Sequence, residues 1–231
     1  MTAQERLDRT LEEIERAARE SGRNPSSILL MAVSKTHPYE EILKLFDCSQ
    51  RLFGENRVQE IEKKFPMVRV QGMRLHLIGH LQSNKVKKIV PLVDGIDSVD
   101  SLRVAQLISE ASLAVGKQMP ILLQYNTSEE SSKSGFEQES DLYNALDVIS
   151  DLQGVRVGGL MTIGPLEGGQ SETRAAFALL RKLQQSCSRR YPHLDFSTLS
   201  MGMSSDFPLA IQEGATVVRV GSSLFGTRQY P

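Results

Sequence analysis

The 231-residue chain contains no tryptophan and only two cysteines, Cys48 and Cys187, in no CxxC-type spacing. Isolated thiols of this kind speak against a disulfide framework; they are read as two buried, reduced cysteines in a cytoplasmic protein. Neither sign of charge is in excess, with 27 Lys and Arg against 28 Asp and Glu. A general nucleic-acid or anionic-membrane binder would normally carry a basic surplus, so neither partner is expected. No apolar run approaches the roughly 20 residues of a membrane span. The opening segment, "MTAQERLDRTLEEIERAARE", is charged throughout and is no secretory signal. A glycine-rich turn after the first strand, the mark of many doubly wound nucleotide-binding sheets, is missing too. Ser34-Lys35-Thr36-His37-Pro38 stands there instead.

What is present is alternation. Leu7, Leu11, Ile14 and Ala18 recur at helical spacing and predict an amphipathic helix ending near Ser21-Gly22. Apolar runs suited to buried parallel strands follow at Ile28–Val33, Arg51–Phe53, Arg74–Ile78 and Val93–Val99. Four more lie at Ile121–Gln124, Val155–Met161, Phe196–Leu199 and Val217–Val220. Helical stretches separate them, at Tyr39–Phe46, Arg57–Phe65, Asn84–Val90, Ser101–Val115, Glu139–Leu152, Glu172–Arg189 and Phe207–Glu213. Eight βα units in a chain near the usual length of about 250 residues predict one (β/α)8 TIM-type barrel spanning residues 1–231. Only "GSSLFGTRQYP" follows the eighth strand, too little for a full outer helix. The additional N-terminal helix is expected to cover that gap.

A barrel of this kind gathers the carboxyl ends of its strands at one mouth, where active sites form. Those ends read Ser34-Lys35, Gly54-Glu55-Asn56, Gly79-His80, Ser98-Asp100, Asn126, Met161-Thr162, Ser200 to Ser204, and Arg219 to Ser222. Lys35 follows an unbroken apolar run and points toward this mouth. Partial desolvation disfavours a charged amine and makes it a better nucleophile toward a carbonyl, so Schiff-base chemistry is the sharp expectation. The alternative, a strand-end lysine reaching into water, is the ordinary fate of a lysine. "SMGMSSD" and "RVGSSLFG" place Gly-Ser turns before helices after strands seven and eight, where barrels often seat a phosphate on helix N-termini. An amine facing two anion turns suggests a phosphorylated aldehyde. Pyridoxal phosphate fits, and an aldolase substrate fits equally on these features.

Five ordered motifs narrow the choice: "AVSKTHP", "FGENRVQE", "HLIGHLQSNK", "GLMTIGP" and "LSMGMSSDFPLAIQEGATVVRVGSSLFG". Over Ile28 to Gly226 the chain resembles the pyridoxal phosphate homeostasis protein family, itself similar to the barrel domain of alanine racemases. The resemblance implies that Lys35 carries pyridoxal 5'-phosphate as a Schiff base. It implies that Ser204, Gly221 and Ser222 line the phosphate, that Asn56 and Met201 flank the ring, and that Arg219 faces the pyridine nitrogen. An arginine only donates hydrogen bonds, so it would favour the unprotonated nitrogen and weaken the ring as an electron sink. The β-rich domain and the second tyrosine base of racemases have no counterpart after the eighth strand. A cytoplasmic, monomeric carrier serving vitamin B6 and amino-acid homeostasis is therefore expected, with apo-enzymes as recipients of the cofactor. A weak racemase or a Schiff-base aldolase is the alternative.

Other signals are read blandly. His76 and His80 lie on and beyond a strand with no third ligand near, which favours structural roles over a metal. Lys63-Lys64 and Asn84 to Lys88 are read as solvated helix faces. Glu129, Glu130 and Lys133 occupy a Ser-rich loop, with the surface reading of Lys133 preferred.

Overall fold

Each of the eight apolar runs becomes a strand in the computed structural model, which describes residues 1–128, 130, 133–165 and 169–226. The strands are β1 (Leu29–Val33), β2 (Leu52–Glu55), β3 (Arg74–Leu77), β4 (Gly95–Val99), β5 (Met119–Gln124), β6 (Val155–Met161), β7 (Thr198–Ser200) and β8 (Val217–Val220). They pair in sequence order, all parallel, into a closed barrel, with β1 against β8 from Leu29↔Val217 to Ala32↔Val220. Closure leaves no strand edge open, and both faces of each strand are covered, which is why the runs are nearly continuous in apolar residues.

The helices are α1 (Ala3–Glu20), α2 (Tyr39–Asp47), α3 (Val58–Lys64), α4 (Val86–Ile89), α5 (Leu102–Ala114), α6 (Glu139–Ile149), α7 (Gly169–Arg190), α8 (Phe207–Gln212) and α9 (Ser222–Phe225). Most of the core lies between strands and helices. A second, small cluster of Met31, Val33, Leu52, Ile78 and Val217 fills the inside of the barrel. Charged groups share that interior. The His76 ring lies where a side chain on Gly95 would stand, since a Cβ there would come within 2.6 Å of it. Glycine at that position thus makes room for a histidine inside the barrel.

The α1 helix does cover the gap left after β8. A capping box between Thr2 and Glu5 opens it, and Leu7, Thr10, Ile14, Ala17 and Ala18 are buried against its neighbours α8, α9 and α2. Arg6 Nε donates to the Leu224 carbonyl at 2.5 Å, and Arg23 donates to the carbonyls of Ile211 and Ala215 at 2.8 and 2.7 Å. Leu11 departs from its expected place: it is 44% exposed, and Thr10 turns inward instead, its hydroxyl bonded to the Arg6 carbonyl.

Other boundaries also move. The stretch 84–90 is one short α-helix between two 3-10 turns, the second containing Pro91, whose ring removes an N–H from the ladder. The α2 helix begins at Tyr39, as expected, with Pro38 at its N-cap, and runs one residue further, to Asp47. Cys187 is fully buried, with its thiol pushed up to about 12 by burial, whereas Cys48 is only partly buried. Among the described residues, no helix is long and apolar enough to cross a membrane.

Candidate functional site

Six of the seven residues singled out from the sequence line one cavity of about 340 Å³ at the carboxyl end of the barrel: Lys35, Asn56, Ser204, Arg219, Gly221 and Ser222. Met201 does not join them. It is completely buried in the main core, its N–H bonded to the Val217 carbonyl, and Met203 lies on the cavity wall instead. Strand alternation accounts for this: Ser200 turns inward to Arg219, so Leu199 and Met201 on either side of it face the helices.

Lys35 is partly buried and sits in a tight turn. Ser34 N–H donates to the Gly54 carbonyl at 3.0 Å, and His37 N–H donates back to the Ser34 carbonyl at 3.1 Å. Between them Thr36 has φ +68°, a left-handed conformation that a β-branched residue rarely adopts. The Thr36 N–H donates to Glu60 Oε2 at 3.0 Å. The His37 ring stacks on Phe225 of α9 with centroids 4.6 Å apart, which ties the lysine turn to the last helix.

Under the turn lies an ion pair that the sequence reading missed. Glu55 is wholly buried and accepts from Ser34 Oγ at 2.7 Å and from Lys64 Nζ at 2.5 Å. Lys64 Nζ also donates to the Ser34 carbonyl at 2.9 Å. Its side chain is only 11% exposed, so the solvated-face expectation fails for Lys64, although it holds for Lys63. Burial raises the Glu55 pKa, and the neighbouring ammonium and hydroxyl oppose that rise. A signal was available: Lys64 follows Ile61 by three residues, beside the buried stripe of α3.

Two turns face the lysine. The Gly221 N–H donates to Ser204 Oγ at 3.3 Å, joining the turn after β7 to the turn after β8. Met203 N–H donates to Asp206 Oδ1 at 2.5 Å, which shapes the approach to α8. Burial raises the Asp206 pKa, partly offset by this bond and by Arg219. Gly221 caps α9, and a Cβ on it would come within 3.1 Å of the Val33 carbonyl oxygen beside Lys35. The amides of Ser222 and Ser223, which open α9, have no partner within that helix, and with the hydroxyls of Ser204 and Ser222 they are donors of the kind an anion needs.

Arg219 lies at the base, 4% exposed. It donates to Ser200 Oγ at 2.8 Å and to the Thr162 carbonyl at 2.7 Å. Complete burial pushes its pKa down to about 10, with Asp97 and Asp206 opposing, so it stays protonated at neutral pH. Lys133 is not a surface residue either. Its side chain is 10% exposed, and Nζ donates to Ser128 Oγ, Glu130 Oε1 and the Gly164 carbonyl, clamping the loop after β5 to the segment after β6. Glu129 lies outside the described residues. His76 pairs with Asp97 and His80 with Asp100, each at 2.8 Å.

The closed parallel barrel is of the alanine-racemase type: the profile of the family described as alanine racemase, N-terminal domain, matches residues 6–229. The pyridoxal phosphate homeostasis protein of Aquifex aeolicus is 39% identical over 230 residues, covering all of both chains. Its namesake in Escherichia coli K12 is 39% identical over 97% of this chain and 96% of that one. The chain therefore belongs to the pyridoxal phosphate homeostasis protein family. Among solved structures, PipY of Synechococcus elongatus with pyridoxal phosphate bound superposes with a TM-score of 0.80 at 40% identity, over 93% of this chain and 100% of PipY. An alanine racemase of Clostridium difficile, 18% identical, shares the fold with a TM-score of 0.70 over 98% of this chain and 57% of the racemase.

Proposed function

We propose that the protein holds pyridoxal 5'-phosphate through Lys35 and serves intracellular cofactor and amino-acid homeostasis as a carrier without robust catalysis. The observation that carries this reading is the convergence of the Lys35 side chain with Ser204, Gly221 and Ser222 on one cavity of about 340 Å³. The relative PipY, solved with the cofactor bound, and the name borne by the curated relatives support it.

The residues present fit the group. Lys35 supplies the primary amine, and the hydroxyls of Ser204 and Ser222 with the amides opening α9 supply uncharged donors for a phosphate. Asn56 lines the wall on the β2 side of Lys35, and Met203, not Met201, is on the cavity wall. When bound, pyridoxal phosphate supplies an aldehyde that condenses with a primary amine and a conjugated ring that absorbs visible light. Arg219 is fixed by Ser200 and Thr162 and has only donors to offer, so it disfavours a proton on any nitrogen placed before it. That choice suits retention of the cofactor better than carbanion chemistry. In the same reading the protein is a cytoplasmic monomer that passes cofactor to apo-enzymes.

Titrating purified protein with the cofactor tests the reading. A visible absorption band present in the wild type and absent in Lys35→Ala is expected, with no turnover of amino acids. Lys35-dependent racemisation would make it an enzyme; a protein that never colours would leave the aldolase alternative.

A further inference from the structure

We infer that Lys64, acting with Glu55 and Glu60, is a positioning residue that latches the Ser34-Lys35-Thr36 turn and thereby sets how fast the cofactor leaves. The inference rests on the reading of Lys35 as the cofactor-bearing amine.

The turn is gripped from outside on both sides of Lys35. On the preceding residue, the Ser34 carbonyl accepts from Lys64 Nζ at 2.9 Å and the Ser34 hydroxyl donates to Glu55 at 2.7 Å. On the following residue, the Thr36 N–H donates to Glu60 at 3.0 Å. One ammonium organises all of this, because Lys64 Nζ lies 2.5 Å from Glu55 and 3.6 Å from Glu60. All three carriers of the grip come from β2 and α3, so the lysine turn is held by a neighbouring βα unit and not by its own.

Two features separate a latch from ordinary packing. Thr36 is held at φ +68°, where a threonine does not settle unaided; held strain of this sort persists only when the surroundings over-determine it. The buried pair is also poor as a stabilising device. Glu55 is fully buried, and its Oε2 has no hydrogen-bond partner among the described residues. A buried ion pair gains little over apolar side chains of equal volume, so stability alone does not call for one here. What the pair does supply, and an apolar pair could not, is a directed donor on the carbonyl next to Lys35.

The experiment compares Lys64→Met with Lys64→Arg and with Tyr191→Phe, which removes the bond to Asp147 on the far side of the fold. Two quantities are read: amide exchange of Thr36 and His37 by NMR in cofactor-free protein, and the rate at which cofactor appears on an added apo-enzyme. Lys64→Met is expected to speed both by tenfold or more, Lys64→Arg to recover part of the loss, and Tyr191→Phe to change neither. Release and exchange at wild-type rates in folded Lys64→Met would overturn the inference, as would equal acceleration by Tyr191→Phe. Should Lys64→Met fail to fold, Glu60→Gln keeps the Glu55–Lys64 pair while weakening the hold on Thr36 and the longer contact with Lys64. Faster exchange of the Thr36 amide is then expected, and an unchanged rate overturns the latch. If wild-type protein takes up no cofactor, the function proposed above fails, while the exchange measurements still decide whether the turn is latched.

Discussion

The two ends of the barrel hold cavities of similar size, about 340 Å³ at the carboxyl mouth and about 380 Å³ at the amino mouth. The larger one is rich in charge as well, with His76, Asp94 and Asp97 along its wall. What differs is how those charges are used. At the amino mouth His76 binds Asp97, while Asp94 accepts from Arg69 and from the Leu75 amide. At the carboxyl mouth the Lys35 amine has no hydrogen-bond partner among the described residues, and the turns opposite it present hydroxyls and helix-start amides. Volume does not separate the two ends; the chemistry of the lining does, an amine facing hydroxyls at one end and a histidine–aspartate pair at the other. The general division of such barrels, chemistry at one face and stability at the other, is realised through that difference.

The comparison breaks most visibly at Gly221. Gly221→Asp sets a carboxylate in the anion seat and crowds the Val33 carbonyl. Like charges facing each other cost several kcal/mol, so cofactor affinity should fall by about 100-fold or more in an absorbance titration. Asp97→Asn is the counterpart at the other end. Losing the charged partner of His76 should cost about 2 kcal/mol, or roughly 4–8 °C in unfolding temperature, with affinity altered by less than about threefold. An affinity loss matching that of Gly221→Asp would show that the two ends are not independent.

A pH series sharpens the same point. Burial alone would lower the pKa of His76, but Asp97 overrides it and the net shift is upward. Its contribution to stability is then full below the unfolded value of about 6.5 and is lost as pH rises through the raised folded value. Unfolding temperature should therefore decline across that window in the wild type and stay flatter in His76→Asn. The smallest effect is expected at Thr36→Gly. Relief of the left-handed strain, less the added chain entropy, should stabilise by about 0.5 kcal/mol, a rise of roughly 1–2 °C by calorimetry.

Most of the fold was legible because a closed parallel barrel writes itself as buried runs alternating with amphipathic helices. The cavity followed from topology: once the strands are counted, their carboxyl ends must meet, and Lys35, Asn56, Ser204, Arg219, Gly221 and Ser222 meet there. Met201 was misplaced although spacing encodes its direction: two positions after Leu199, it continues the face of β7 that packs on the helices. Lys64 and Lys133 escaped because a long aliphatic stem can turn its amine inward, and composition counts such residues as surface. Asp97 was hidden inside a run that reads as apolar from Val93 to Val99. Only its partner on the neighbouring strand, 21 positions earlier, explains a carboxylate there.

The pairing of β1 with β8, and of α1 with α8 and α9, has a consequence for synthesis. The earliest strand and helix to leave a ribosome find their mates among the latest. Until those arrive, the nascent polypeptide presents a bare strand border and an uncovered greasy helix stripe, both of which invite aggregation or a chaperone.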